Sequence, residues 1–383
     1  MKFNKNTILA QVGVIKNEKY GAISTPIYHS ATFRHPAIGE STGYDYSRTS
    51  NPTRQELETA LASLEEGKYG FAFPTGMAAL TTIFGLFKSG DHVILSEDLY
   101  GGTYRLLKQY FNQYGIDADF IDTTNLIEVE QTWKPNTKGL LIETPSNPLM
   151  KITDIKLCAK LCKQFNALFI VDNTFMTPYY QTPINLGADI VIHSGTKYLA
   201  GHNDLLAGAI ITNDADLADR IGFLQNTTGS VLSAGDSWLL LRSLKTLGLR
   251  MERQTKNAQA IVEWAQTEGS KWINQVYYPS INEQGYNIHL GQATGDGAML
   301  SIRFKSEQLA MDLLSKLELF SFAESLGGVE SLITIPSRQT HADMPEDYRK
   351  KLGVTDDLLR ISVGIEDCND LIYDLTQAIN KCI

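Results

Sequence analysis

Only four cysteines occur in 383 residues, too few and too scattered for a disulfide framework. Cys158 and Cys162 fall four apart on an expected helix, without a second pair or histidine motif to complete a metal site; Cys368 and Cys382 lie near the C-terminus. Free thiols, no metal and a cytoplasmic location are the expectations. Basic residues are also in deficit. The 34 Lys and Arg stand against 43 Asp and Glu, a net charge of −9, so nucleic acid, which needs a basic surface, is not an expected partner. No apolar run is long enough to span a bilayer, and Met1-Lys2-Phe3-Asn4-Lys5-Asn6 leads into no signal-peptide core, so no membrane is expected either. Several ligand signatures are missing as well. Gly67-Lys68 is followed by Tyr69 and has Ala62 where a P-loop needs its first glycine, no Gly-x-Gly-x-x-Gly follows an early strand, and the seven histidines form no H-E-x-x-H. These absences argue against a nucleoside triphosphatase, a dinucleotide dehydrogenase and a zinc hydrolase.

What remains is an ordinary globular composition, 43% hydrophobic and 20% charged, with two short apolar runs of one kind. Leu168-Phe169-Ile170-Val171-Asp172 leads into Asn173-Thr174, and Ile190-Val191-Ile192-His193 leads into Ser194-Gly195-Thr196-Lys197. Runs like these read as strands buried on both faces of an α/β sheet, whose C-terminal ends are where ligands collect. Lys197, flanked by the hydroxyls of Ser194 and Thr196, suits Schiff-base attachment of pyridoxal 5'-phosphate, with the hydroxyls donating to the phosphate. Asp172 can pair with the pyridine nitrogen and keep it protonated. In a strict strand Ser194 and Thr196 share a face that Lys197 does not, so all three meet one ligand only if the chain bends. Gly195 permits that bend.

Residues 1–45 show no sustained period and are expected to form an arm that packs on something else. Asn51-Pro52 is an N-cap with proline at the first helical position, opening a helix with Leu57, Leu61 and Leu64 on one stripe. A strand at 69–73 turns through Pro74-Thr75-Gly76-Met77 into a helix to about 87, whose first amides and dipole can bind an anion without a charged side chain. After a strand at 92–95 the paired glycines of Tyr100-Gly101-Gly102 let the backbone pass close to a flat ligand, which Tyr100 can overlie; a helix to 114 follows. A strand at 139–143 ends in Thr144-Pro145-Ser146-Asn147-Pro148, and a helix starts at about 154. One very long helix, from about 235 into the 260s, is expected to join two domains. Beyond it, strands at 276–278, 298–304 and 359–363 and helices at 307–317 and 369–380 describe a smaller α+β unit. The expected division is an arm (1–45), a large domain (46–245) and a small domain (246–383).

Ser194-Gly195-Thr196-Lys197-Tyr198, with Val171-Asp172-Asn173-Thr174-Phe175 before it, resembles the Cys/Met-metabolism family of pyridoxal-phosphate enzymes, which includes cystathionine γ-lyase, γ-synthase and β-lyase and methionine γ-lyase. The resemblance runs from about Gly21 to the C-terminus. It implies the fold-type-I α/β architecture, with a mostly parallel sheet, flanking helices and a smaller C-terminal α+β domain. It also implies roles residue by residue. Lys197, Tyr100 and Asp172 are catalytic, and Gly76, Met77, Thr174, Ser194 and Thr196 join them in binding the cofactor. Tyr46 and Arg48 reach the phosphate of a neighbouring subunit, so that dimers share their sites and pair into a tetramer. Arg360 grips the substrate α-carboxylate, supported by Ser325 and Thr340, and Asn147 contacts the cofactor ring oxygen or that carboxylate.

Among family members, an acid at Glu324 and a glycine at Gly102 resemble the γ-lyases and γ-synthases. Glu324 would meet the distal ammonium of cystathionine and Arg105 its distal carboxylate. The expectation is a cystathionine γ-lyase with some β-elimination; γ-synthase and β-lyase are the alternatives. The chain departs from the usual family pattern in Gly201-His202-Asn203-Asp204-Leu205 and in Gln339-Thr340-His341-Ala342-Asp343-Met344-Pro345, which bear on substrate entry and spare every residue expected to act in the chemistry.

Overall fold

The computed structural model describes residues 3–14 and 20–383, so residues 1, 2 and 15–19 of the expected arm lie outside the described residues. Seven strands form the larger sheet: β1 (Tyr69–Phe73), β2 (His92–Ser96), β3 (Asp117–Ile121), β4 (Thr137–Glu143), β5 (Leu168–Asp172), β6 (Ile190–Ser194) and β7 (Gly208–Thr212). Their order is β1-β7-β6-β5-β4-β2-β3. β7 runs antiparallel to both neighbours, and the other pairings are parallel. The parallel strands therefore end along one edge, and Glu143, Asp172 and Ser194 are brought there as strand-terminal residues. Neither β3 nor β7 is among the sequence expectations. β3 reads Asp117-Ala118-Asp119-Phe120-Ile121, an edge strand with acidic residues in alternation, and β7 is a short run lying between loops.

Asn51 caps helix Pro52–Leu64 by accepting from the amides of Thr53 and Arg54, and Leu57, Leu61 and Leu64 are buried as their spacing requires. The expected single long helix is two, Ala234–Leu244 and Leu247–Gln266. At the joint the amides of Lys245 and Thr246 donate to the Arg242 and Ser243 carbonyls in a tightened turn. The Ser243 carbonyl is also taken by the Thr246 hydroxyl and the buried Arg250 guanidinium, and the helical ladder breaks. Arg250 also donates to the carbonyls of Tyr198 and Leu199, which fastens the joint to the turn bearing Lys197. Gly201 (φ +70°) is required there, because a Cβ would stand 2.0 Å from Arg250 Nη1. The expected helix to 114 is irregular too. It starts as Gly101–Arg105, widens over Leu106–Tyr110 and tightens over Phe111–Tyr114 before Gly115 in the left-handed region ends it.

The second sheet contains β8 (Ile273–Tyr277), β9 (Met299–Phe304), β10 (Ser321–Phe322), β11 (Leu332–Thr334) and β12 (Leu358–Ser362), in the order β10-β11-β12-β9-β8. Arg360 lies in the middle of β12, between Ser301 of β9 and Thr334 of β11, where the sequence pattern places it at a strand start. Helix Glu307–Leu313 is shorter than expected, and Cys368–Asn380 matches its expected span within a residue. One apolar cluster contains Val171 and Val191 of the large sheet together with Ile302 and Ile361 of the small one. Each such side chain contributes on the order of 1.5–3 kcal/mol when fully buried, so a continuous core holds Arg360 in place relative to the strand ends. No described helix is long and apolar enough to cross a membrane.

Candidate active site

Loops from both sheets enclose a cavity of about 410 Å³ at the C-terminal edge of the parallel strands, within the range of small-molecule sites. One corner is built for an anion. Helix Gly76–Phe84 begins at the wall, and Thr75 caps the Ala78 amide, which leaves the first-turn amides of Gly76 and Met77 without intrahelical acceptors. A Cβ on Gly76 would lie 3.1 Å from Ser194 Cβ, so glycine lets the helix start close on the end of β6. Ser194 and Thr196 line the same cavity. The Thr196 hydroxyl, however, donates to the Ala207 carbonyl (3.2 Å) and accepts from the Ala207 amide (3.0 Å). Its proton is therefore already engaged, and Ser194 is the freer donor.

The bend expected at Gly195 is present. β6 ends at Ser194, the Lys197 amide donates back to the Ser194 carbonyl, and a Cβ on Gly195 would meet Ala207 Cβ at 2.9 Å. Lys197 thereby faces the cavity, where its Nζ donates to Ser325 Oγ at 2.8 Å. Burial, with the Arg360 charge adding to it and Glu324 opposing, lowers the Lys197 pKa to about 8. Asp172 also lines the cavity. Its Oδ1 accepts from the Thr174 amide (3.0 Å) and hydroxyl (2.5 Å), while the Thr174 hydroxyl accepts from the Ser194 amide (2.9 Å). Burial raises the Asp172 pKa, against the two Thr174 bonds and the nearby His193.

The small sheet supplies the opposite wall. Arg360 is 2% exposed; its Nη1 donates to Asn147 Oδ1 (3.0 Å) and its Nη2 to the Ser325 carbonyl (2.9 Å), while Nε has no partner among the described residues. A buried orphan donor beside a cavity marks a place for an anionic acceptor. With Oδ1 committed to Arg360, Asn147 has its amide N–H groups left for a ligand. Ser325 is held at φ +84°, a strained conformation of the kind found at ligand clamps. Gly327 lets this loop approach the lysine turn, since a Cβ there would meet the Tyr198 amide nitrogen at 2.5 Å. Tyr100, Thr340 and the exposed Glu324 complete the rim. Gly102 makes room for the Tyr100 ring, which a Cβ would approach to 2.4 Å.

Three expected site residues lie outside the lining. Arg105 forms an ion pair with Asp343, both about half exposed. Tyr46 and Arg48 are on the surface, the guanidinium over the Tyr46 ring at 5.4 Å and its Nε donating to Asn226 Oδ1 at 3.1 Å. Conversely, Glu143 lines the cavity without having been expected. It pairs in register with Asp172, and its Oε2 accepts from the Tyr100 amide at 3.2 Å. Burial first, then Asp172 and Asp98, hold its carboxyl well above the usual range. The signal was available: Glu143 is an acid ending an apolar strand, the feature that singles out Asp172.

The family described as Cys/Met metabolism PLP-dependent enzyme matches residues 6–380. The chain is 50% identical to a cystathionine γ-lyase of Bacillus subtilis (strain 168) over 378 residues, 98% of this chain and 99% of that protein. It is 48% identical to a cystathionine γ-synthase of Haemophilus influenzae over 374 residues, 97% of each. A crystal structure of cystathionine γ-lyase from Lactobacillus plantarum complexed with L-serine superimposes with a TM-score of 0.95 at 41% identity, covering 99% of both chains. The cavity fits the group named in the family description. It offers free helix-start amides and a serine hydroxyl for a phosphate, a positioned carboxylate for a ring nitrogen, and an amine of lowered pKa for an aldehyde.

Proposed function

The chain belongs to the Cys/Met-metabolism PLP-dependent enzymes, carbon–sulfur lyases and their relatives, and on that premise we propose that it is a cystathionine γ-lyase. The reaction would yield cysteine, 2-oxobutanoate and ammonia, with some β-elimination giving pyruvate. When bound, pyridoxal phosphate supplies the electron sink that makes a substrate carbanion accessible. The residues do the rest. Gly76, Met77 and Ser194 would hold the phosphate, Asp172 the ring nitrogen, and Lys197 the aldehyde carbon. Lys197, as free amine, would take the Cα proton and, only after passing that proton on to the electron-rich system it has created, could take one at Cβ, as γ-elimination requires. Tyr100, at the rim, returns a proton to the departing sulfur. Arg360 and Asn147 hold the α-carboxylate.

The observation supporting cystathionine over smaller substrates is Glu324, an exposed carboxylate on the cavity lining next to the clamp loop, suited to a distal ammonium. Arg105 is engaged by Asp343 and does not separate lyase from γ-synthase, because the cysteine that a synthase takes up carries the same carboxylate. The deciding assay offers cystathionine alone, then O-acylhomoserine with cysteine, and compares kcat/KM. A larger value for cystathionine formation would overturn the lyase reading. Glu324→Ala should lower kcat/KM for cystathionine several-fold, about the worth of one exposed charge contact, and leave amino acids without a distal ammonium unaffected.

The surface position of Tyr46 and Arg48 fits a role in another subunit's site, within a tetramer of site-sharing dimers. Exposed Ile27 and Tyr28 on the same arm supply apolar area for such a contact. Mixing inactive Arg48→Ala with inactive Lys197→Ala should restore up to about a quarter of parental activity by random pairing, because each hybrid dimer holds one intact site. No recovery despite proven subunit exchange would count against shared sites.

A further inference from the structure

His341 is fully buried between the two walls of the cavity. Its Nε2 lies 3.0 Å from the Asn147 carbonyl oxygen, and its Nδ1 lies 2.8 Å from Thr340 Oγ1. A carbonyl can only accept, so Nε2 bears the proton. Burial, together with the Arg360 charge and against the nearby Asn147 and Leu99 carbonyls, lowers the imidazole pKa to about 4, so the ring is neutral and, with the proton on Nε2, Nδ1 is an acceptor. The Thr340 hydroxyl has one proton and donates it to Nδ1. What Thr340 then presents to the cavity is lone pairs. It cannot donate to a carboxylate, which reverses the polarity that a supporting role in the clamp would suggest. The same imidazole pins the backbone of Asn147, whose Oδ1 receives Arg360 Nη1. Gly101 packs on this loop as well, with room for no Cβ: one would stand 2.5 Å from the Thr340 carbonyl oxygen.

We propose that His341 is the positioning residue of the amino-acid clamp: it fixes Asn147 against Arg360 and turns Thr340 into an acceptor for an N–H of the incoming amino acid. The end wall then reads the two poles of the substrate separately, the carboxylate through Arg360 and the amine through Thr340. This rests on the reading of Arg360 as the carboxylate clamp, and is independent of the choice between lyase and synthase.

Inhibition constants of L-alanine and of propanoate, which lacks the amine, test it on the holoenzyme with whichever sulfur amino acid is turned over. His341→Phe should raise both constants by roughly tenfold, the worth of one disturbed hydrogen bond to a charged group, with kcat and cofactor absorbance much less affected; the melting temperature should fall as well, since the buried Asn147 carbonyl loses its donor. His341→Gln, whose amide offers both N–H donors and a carbonyl acceptor, should recover most of the loss. Thr340→Val should raise the constant for alanine alone, and Thr340→Ser should leave both near parental. Equal effects of Thr340→Val on alanine and propanoate would mean that Thr340 donates to the carboxylate, and would overturn the acceptor assignment. Unchanged constants in His341→Phe with a fall only in melting temperature would reduce His341 to a packing residue. Should that variant fail to fold, the Thr340 pair still decides the polarity. An Arg360→Ala enzyme that binds propanoate normally would instead refute the clamp reading itself.

Discussion

Lys197→Ala enzyme should keep less than about a thousandth of the parental kcat, because it loses the attachment point and a proton carrier whose contribution alone is typically 10²–10⁴-fold. The geometry makes the assignment sharp. Lys197 Nζ sits 2.8 Å from Ser325 Oγ inside the cavity, and its neighbour in charge is Arg360, which together with burial brings the pKa to about 8. A lysine at its ordinary 10.5 would be almost wholly protonated near neutrality; at about 8 a useful fraction is free amine. The sign gives a second measurement. In the cofactor-free protein, addition of an aldehyde to Lys197 should speed up as pH rises through about 8 and then level off, since only the neutral amine attacks. Borohydride treatment of the holoenzyme should leave a pyridoxyl label on the Lys197 peptide. A label on Lys245 or Lys68, or a rate still climbing toward pH 10, would refute the assignment.

The parts of this site that could be read from the chain are those in which one short segment contains its own chemistry. Lys197 with its flanking hydroxyls, Asp172 at a strand end and Gly76 at a helix start each declare a role locally, and the parallel sheet brings all three to one edge. Polarity was not legible. Whether Thr196 donates to a ligand depends on Ala207, eleven residues away across a turn, and whether Thr340 donates depends on the tautomer of His341, which is set by a carbonyl on the far wall. The break between Ala234–Leu244 and Leu247–Gln266 was hidden for a similar reason. Helical periodicity continues through it, while the Thr246 hydroxyl and the Arg250 guanidinium divert the Ser243 carbonyl. Arg105 illustrates the limit from the other side: a cation near a site on sequence grounds turns out to have its own anion in Asp343.

Removing Arg360 should raise KM for every α-amino-acid substrate by roughly a hundredfold or more, because two hydrogen bonds to a charged group are each worth about 1.5–3 kcal/mol. The side chain is already oriented without substrate. Asn147 Oδ1 and the Ser325 carbonyl fix Nη1 and Nη2, and Nε, without a partner among the described residues, waits beside them, so little rotamer entropy is left to lose on binding. Burial lowers the guanidinium pKa only to about 10, and it stays charged throughout the working range. Arg360→Lys keeps a charge but loses the planar fork, and should recover only part of the affinity. In Arg360→Ala the Asn147 and Ser325 oxygens lose their donors, at about 1–3 kcal/mol each, so the melting temperature should fall as well. Cofactor absorbance should remain, since none of the groups proposed to hold the phosphate or the ring nitrogen bonds to Arg360. The two effects separate cleanly in a titration with propanoate: a stable, coloured Arg360→Lys enzyme that binds propanoate as tightly as the parent would show that the carboxylate is held elsewhere.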